Sequence, residues 1–248
     1  MRGIYRTALA AALLFLAASP LVRATSARVL ETVPLVNQAR PASERLCQFL
    51  RPLIPPRAAC RNAHWQGADL SMVWMVGADC RGAQLQSARL IGTDFRKANL
   101  SGANLNAATM WNAYLDDAWL YRASLRRAAL SGSTMNGANL TEANLAQADL
   151  SKVKLREALL VGTDLARANL EYADLTRANL NNAVLTNARM QYANLTGADL
   201  TGALLEGANL TNAVGLKRRQ LLRARIDQTT ILPAYLANSG LQSGGPTH

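Results

Sequence analysis

Large apolar side chains recur at every fifth residue, from Trp65, Leu70, Met75 and Cys80 through to Leu210, without a slip of register. Of these 30 positions 23 are Leu, and the rest are Trp65, Met75, Cys80, Phe95, Met110, Met135 and Met190. Two residues before each stands a smaller side chain. It is Ala in 25 of the 30 units and otherwise Val73, Thr93, Ser133, Val153 or Thr163. On an α-helix a five-residue step turns about 500°, so successive Leu would fall about 140° apart. No apolar stripe results, which excludes a long amphipathic helix or coiled coil. A continuous strand fails as well, because an odd repeat sends alternate Leu to opposite faces.

The pattern is satisfied by a three-residue strand followed by a two-residue corner. Ala103 and Leu105 then point inward, Asn104 points out, and Asn106 and Ala107 turn the chain. A type II turn wants positive φ at its second central residue, hence Gly or Asn. That position holds 11 Gly, from Gly67 to Gly207, and four Asn: 112, 182, 187 and 212. The remaining corners, such as those of Arg122, Arg127 and Lys152, are predicted to use turns with negative φ. Four corners close a lap of about 20 residues, so residues one lap apart stack about 4.8 Å apart as parallel ladders. Thirty units make about 7.5 laps, a stack of roughly 36 Å. The lumen is narrow, so one inward column must be large and the other small.

The motif Ala-(Asn/Asp)-Leu-X-X stands nearly verbatim at Ala98-Asn99-Leu100, Ala138-Asn139-Leu140, Ala168-Asn169-Leu170 and Ala198-Asp199-Leu200. About 150 of the 248 residues follow it, and this stretch resembles the pentapeptide-repeat family. The resemblance implies an all-β fold, a right-handed quadrilateral parallel β-helix, here a solenoid with short helical caps. It implies no shared catalytic site, because a fold does not specify an activity.

Four regions follow along the chain. Residues 1–24 read as a signal peptide, with Arg2 and Arg6 before an apolar run from Ala8 to Ala18 and a break at Ser19-Pro20. Cleavage after Ala24 would leave an exported protein, periplasmic or secreted. The alternative is an uncleaved anchor, although the run is short of the roughly 17–20 residues that span a bilayer. Residues 25–57 form an N-terminal cap of different composition, and residues 58–215 form the coil. Residues 216–248 form a C-terminal cap and tail, with a short basic helix predicted over Leu216–Arg225. Caps are needed because a bare end of the coil exposes unpaired N–H and C=O groups.

The formal charge of +11 is unevenly placed. Removing Arg2, Arg6 and Arg23 leaves +8, of which residues 25–57 hold +3, the coil +1 and residues 216–248 hold +4. No basic nucleic-acid stripe runs along the coil. Some members of the family protect DNA gyrase by mimicking the shape and charge of duplex DNA. That requires a densely acidic rod, and a near-neutral coil excludes it. The basic caps are solvated Arg or a weak site for anionic lipid or cell-wall polymer.

Three cysteines, Cys47, Cys60 and Cys80, suit a disulfide in an oxidising compartment. A Cys47–Cys60 bond would staple the N-terminal cap to the coil, and this pairing is favoured. Its rival is Cys60–Cys80, one lap apart, where parallel Cβ bonds make the geometry awkward.

Catalysis finds little support: the two His are His64 and terminal His248, and no metal spacing, phosphate loop or dinucleotide fingerprint appears. No cofactor is expected. One lap does carry unusual outward residues, Trp111, Tyr114, Trp119 and Tyr121, and two laps beyond lie Leu159 and Val161. Exposed aromatics among small polar residues suit a protein contact or a sugar platform. The reading is a non-catalytic envelope scaffold for a protein partner, self-association included. The alternative is a cell-wall glycan-binding module centred on that aromatic lap.

Overall fold

The computed structural model describes residues 60–237. Residues 1–59, with Cys47 and the predicted signal and N-terminal cap, lie outside the described residues, as do residues 238–248.

The coil closes every 20 residues. Parallel bridges join His64 to Gln84, Asp69 to Arg89, Trp74 to Asp94 and Asp79 to Asn99, and each ladder continues at the same separation. These four ladders define sides one to four. Both inward columns are buried, from Leu70 to Leu210 and from Ala78 to Ala213. Period two within the unit and period five between units therefore meet in one apolar lumen. Leu fills one inward column and Ala the other, so removing a Leu would leave a void costing about 2–5 kcal/mol.

Three small inward residues are polar, Thr93, Ser133 and Thr163, and all are fully buried. Their hydroxyls donate to the carbonyls of Leu70, Met110 and Leu140 at 2.8, 2.7 and 2.8 Å. A hydroxyl thus replaces a methyl without an orphaned polar atom.

The structure corrects three local expectations. The predicted three-residue strands are single-residue bridges. Only the outward residue puts both backbone groups into the ladder: Asn104 donates to Ala83 C=O, and its own C=O accepts from Leu85 N–H. The inward residues divide theirs between ladder and corner, as when Ala103 N–H closes the turn on Leu100 C=O at 2.9 Å.

Negative φ at the corners that hold neither Gly nor Asn is also overturned. Arg122, Arg127 and Lys152 have φ of +54°, +56° and +58°, like Gly102 at +65°. The central peptides of successive corners are themselves a ladder. Gly102 N–H donates to Tyr121 C=O at 2.9 Å, and Arg122 N–H donates to Thr141 C=O at 3.1 Å. Flipping the 121–122 peptide to a negative-φ turn would break both bonds. Orphaned groups cost about 1–3 kcal/mol each, against roughly 1–2 kcal/mol for a left-handed residue. Stacking wins over propensity.

The third correction concerns the C-terminal segment. Helix α1 covers Arg218–Leu221 rather than the predicted Leu216–Arg225, and α2 covers Ala234–Ala237. Between them the ladder resumes, with Arg225 bridging Leu204 and Ile231 bridging Asn209. The segment is a distorted last lap. Gln220 Nε2 donates to the carbonyls of Leu195 and Ala198, at 3.1 and 2.8 Å; Leu195 C=O also accepts from Ala198 N–H, while Ala198 C=O is an acceptor that the lap would leave bare. Thr230 takes the small inward position, and its hydroxyl donates to Leu205 C=O at 2.9 Å.

Cys60 is bonded to Cys80, with Cα atoms 4.4 Å apart. The favoured Cys47–Cys60 pairing is therefore corrected. Both residues occupy the large inward column one lap apart, and that spacing brings Cα atoms within reach of a disulfide despite the parallel Cβ bonds.

Candidate functional site

The outward Asn and Asp have a structural duty that limits what else the surface can carry. In each corner the N–H of the first central residue takes no part in either backbone ladder. In about half of the corners an Asn or Asp two residues earlier accepts from it. Asn99 accepts from Ser101 at 3.0 Å, Asn139 from Thr141 at 3.0 Å and Asn179 from Asn181 at 3.1 Å. Fourteen corners of the coil are capped in this way. This explains the second motif position as an Asx turn repeated along the coil.

Uncapped corners occur on all four sides, and on side four two of them follow large apolar residues. The ladder of side four runs Asp79, Asn99, Trp119, Asn139, Leu159, Asn179, Asp199. Trp119 is 57% exposed and Leu159 42%, two laps apart with Asn139 between them. Beside them on the following corner stand Tyr121 and Val161, both half-buried. Neither Tyr121 N–H nor Val161 N–H finds a partner among the described residues, because no carboxylate or amide stands two or twenty positions earlier. The four side chains form one patch about two laps tall, or roughly 10 Å. The Arg122 guanidinium lies over the Tyr121 ring at 4.9 Å and donates to Glu142 at 2.6 Å. That bond, more than the nearby Tyr121, raises the pKa of Arg122 and keeps it charged.

Trp111 and Tyr114 are exposed too, but the coil carries them away from this patch. Trp111 lies on the corner before side three, and Tyr114 lies on side three itself. The predicted group of six is thus a patch of four and a neighbouring pair. Side three also holds Trp74, which sequence reasoning missed. Trp74 stands two laps before Tyr114 in the ladder, and its Nε1 donates to Asp94 at 2.9 Å. Arg96 grips the same Asp94 carboxylate, which raises the guanidinium pKa, and packs over Tyr114 at 5.9 Å. Counting back 40 residues from Tyr114 would have found it.

Among the described residues no group of three or more His, Cys, Asp or Glu is placed to hold a metal ion, and no helix is long and apolar enough to cross a membrane.

The family model for pentapeptide repeats matches in eight copies, over overlapping segments that run from 66–102 to 193–214. The chain belongs to the pentapeptide-repeat family. Comparison with curated proteins returned no match. Among solved structures, this pentapeptide-repeat protein is similar to HetL from the cyanobacterium Nostoc sp. strain PCC 7120, which is involved in heterocyst differentiation regulation. The identity is 30%, over 69% of this chain and 89% of HetL, with a TM-score of 0.30. It is also similar to alr5209, a pentapeptide-repeat protein from Nostoc PCC 7120, at 33% identity over 48% of this chain and 83% of that one, TM-score 0.36. QnrB1, a plasmid-mediated fluoroquinolone resistance protein, matches at 18% identity over 64% and 86% of the two chains, TM-score 0.33. The shared repeat accounts for the inward columns of this pentapeptide-repeat protein. In the patch, Trp119 and Leu159 take the motif position of Asn or Asp, and Tyr121 and Val161 take positions that the repeat leaves free.

Proposed function

We propose that this protein is a non-catalytic scaffold of the cell envelope, a right-handed coil that binds a protein partner through side four. The observation that carries the reading is the exposed apolar patch on side four. Trp119 and Leu159 each stand where an Asn or Asp would bond the next corner, and each is exposed. Exposed Trp and Tyr are the side chains most favoured at the centre of protein interfaces. The basic, apolar start of the sequence supports export, and the Cys60–Cys80 bond suits an oxidising compartment.

A second reading, binding of a cell-wall glycan, draws on a separate observation. Trp119 is flanked in its ladder by Asn99 and Asn139. Their Oδ1 atoms are taken by Ser101 and Thr141, which leaves each Nδ2 to donate outward beside an indole face. A flat ring with flanking donors suits a pyranose.

Affinity capture of the mature chain from its native envelope tests both. The scaffold reading expects one stoichiometric protein that Trp119→Ala and Leu159→Asn each lose. Retention of that protein by both variants overturns it. Binding to isolated peptidoglycan that Trp119→Ala abolishes, with no protein captured, selects the glycan instead.

A further inference from the structure

Tyr172 and Tyr192 stand one lap apart on the corner between sides two and three, away from the Trp119 patch. Their ring centroids are 4.7 Å apart and their planes lie within 2° of parallel. Free aromatic pairs prefer offset or edge-on contacts, so the coil imposes this arrangement. Both residues occupy the second corner position, with φ of +59° and +60°. Tyr172 N–H donates to Gln191 C=O at 3.0 Å, which holds the two backbones at lap spacing. The side chains are 54% and 48% exposed. Neither hydroxyl has a hydrogen-bond partner among the described residues.

We propose that Tyr172 and Tyr192 are a site of oxidative modification, where a one-electron oxidant joins them as an intramolecular dityrosine. Each phenol gives up one electron and one proton to become a phenoxyl radical whose spin reaches the ring carbons ortho to oxygen. The two radicals pair, and one C–C bond forms between an ortho carbon of each ring. Both coupled carbons then lose their protons as the rings regain aromaticity and the hydroxyls are restored. Two electrons and two protons leave in all. With a haem peroxidase as oxidant, one hydrogen peroxide takes them up and becomes two waters.

Placement makes this pair the preferred product. A tyrosyl radical alone in solution must meet another, whereas here the second ring is already in contact and coupling is intramolecular. The other described tyrosines have no such neighbour. Tyr114 is flanked in its ladder by Asp94 and Thr134. The residues one lap from Tyr121 are Ser101 and Thr141. The Tyr235 hydroxyl donates to Ala213 C=O at 3.0 Å. The new bond would close a loop of one lap, the same separation that the Cys60–Cys80 disulfide closes near the other end of the described coil.

The test treats the folded full chain with a haem peroxidase and limiting hydrogen peroxide, then reads dityrosine fluorescence in the monomer fraction. The expected product joins tryptic peptides 168–177 and 190–217 and is lighter than their sum by two hydrogens. Tyr172→Phe and Tyr192→Phe should each remove nearly all of the monomeric product, and Tyr121→Phe should leave it unchanged. Oxidation of the chain in denaturant should remove it as well, since the fold supplies the contact. Full monomeric yield in Tyr172→Phe, equal yield in denaturant, or cross-links formed only between molecules would each overturn the proposal.

Discussion

The corner after Asn139 and the corner after Trp119 lie one lap apart on the same side, with the same backbone ladder and the same left-handed second residue. They differ in one hydrogen bond. Asn139 accepts from Thr141 N–H at 3.0 Å, while Tyr121 N–H has no acceptor among the described residues. Leu159 repeats the Trp119 pattern one lap beyond Asn139. The uncapped laps keep their lumen residues, Leu120 and Leu160, fully buried. The coil therefore tolerates losing a cap but keeps its inward columns, and at Trp119 and Leu159 it exposes a large apolar side chain where a cap could stand. This separates what the fold requires from what is left for recognition.

The largest expected effect comes from crossing the wall at a single lap. Leu120→Ala should lower unfolding stability by about 2–5 kcal/mol through the void it leaves, whereas Trp119→Ala, next to it but outward, should change it by less than about 0.5 kcal/mol. Denaturant unfolding of both variants checks this. Equal losses would mean that Trp119 is a packing residue and would dissolve the comparison.

Making a capped lap resemble an uncapped one should cost less. Asn179→Leu removes the acceptor for Asn181 N–H, at 3.1 Å, and should destabilise by about 0.5–1.5 kcal/mol. A neutral result by chemical denaturation would show that water replaces the cap without loss. The second corner position sharpens the contrast from the other direction. Lys152 sits at φ +58°, so Lys152→Gly should stabilise the coil by roughly 0.4–1 kcal/mol as left-handed strain is relieved. A fall in the unfolding midpoint would contradict stacking as the force that sets this φ.

The smallest effect is one of pH. The Thr229 hydroxyl, with further bonds from Thr230 and Gly207, holds Asp227 below the usual carboxylate range. Asp199 is held low first by the Thr201 hydroxyl and then by its backbone N–H. At Asp174 burial pushes upward, but bonds from Thr176 and Arg156 together outweigh it. A carboxylate with a lowered folded pKa adds stability above its unfolded value of about 3.9. That stability is lost as pH falls through the folded value. Thermal midpoints should therefore drop on acidification below about pH 4, with a shallower drop in Asp227→Asn. An unchanged slope in that variant would remove Asp227 from the account.

The lumen was legible in the sequence because its rule is repeated in each of 30 units and depends on side-chain size alone. Lap length and the four-sided section followed from that. The corners were not legible, since turn propensity is read one residue at a time. What holds Arg122 or Lys152 at positive φ is the peptide stacked above and below it, 20 residues away. The sequence assigned the outward Asn and Asp no duty, and only the geometry showed that nearly all of them accept from the N–H two residues on. The cysteines were weighed by the direction of their Cβ bonds, and the short separation across one lap decided otherwise. The patch was half legible: register placed Trp119 with Leu159 and Tyr121 with Val161, but grouping by nearness in sequence added Trp111 and Tyr114 and passed over Trp74.

Trp119→Asn tests the central claim most directly, because it restores the missing cap and removes the exposed indole in one change. The account predicts a rise in unfolding stability of about 0.5–1.5 kcal/mol, as Tyr121 N–H gains an acceptor, together with loss of the captured partner. A variant that is less stable than the parent, or that holds the partner as well as before, would contradict it.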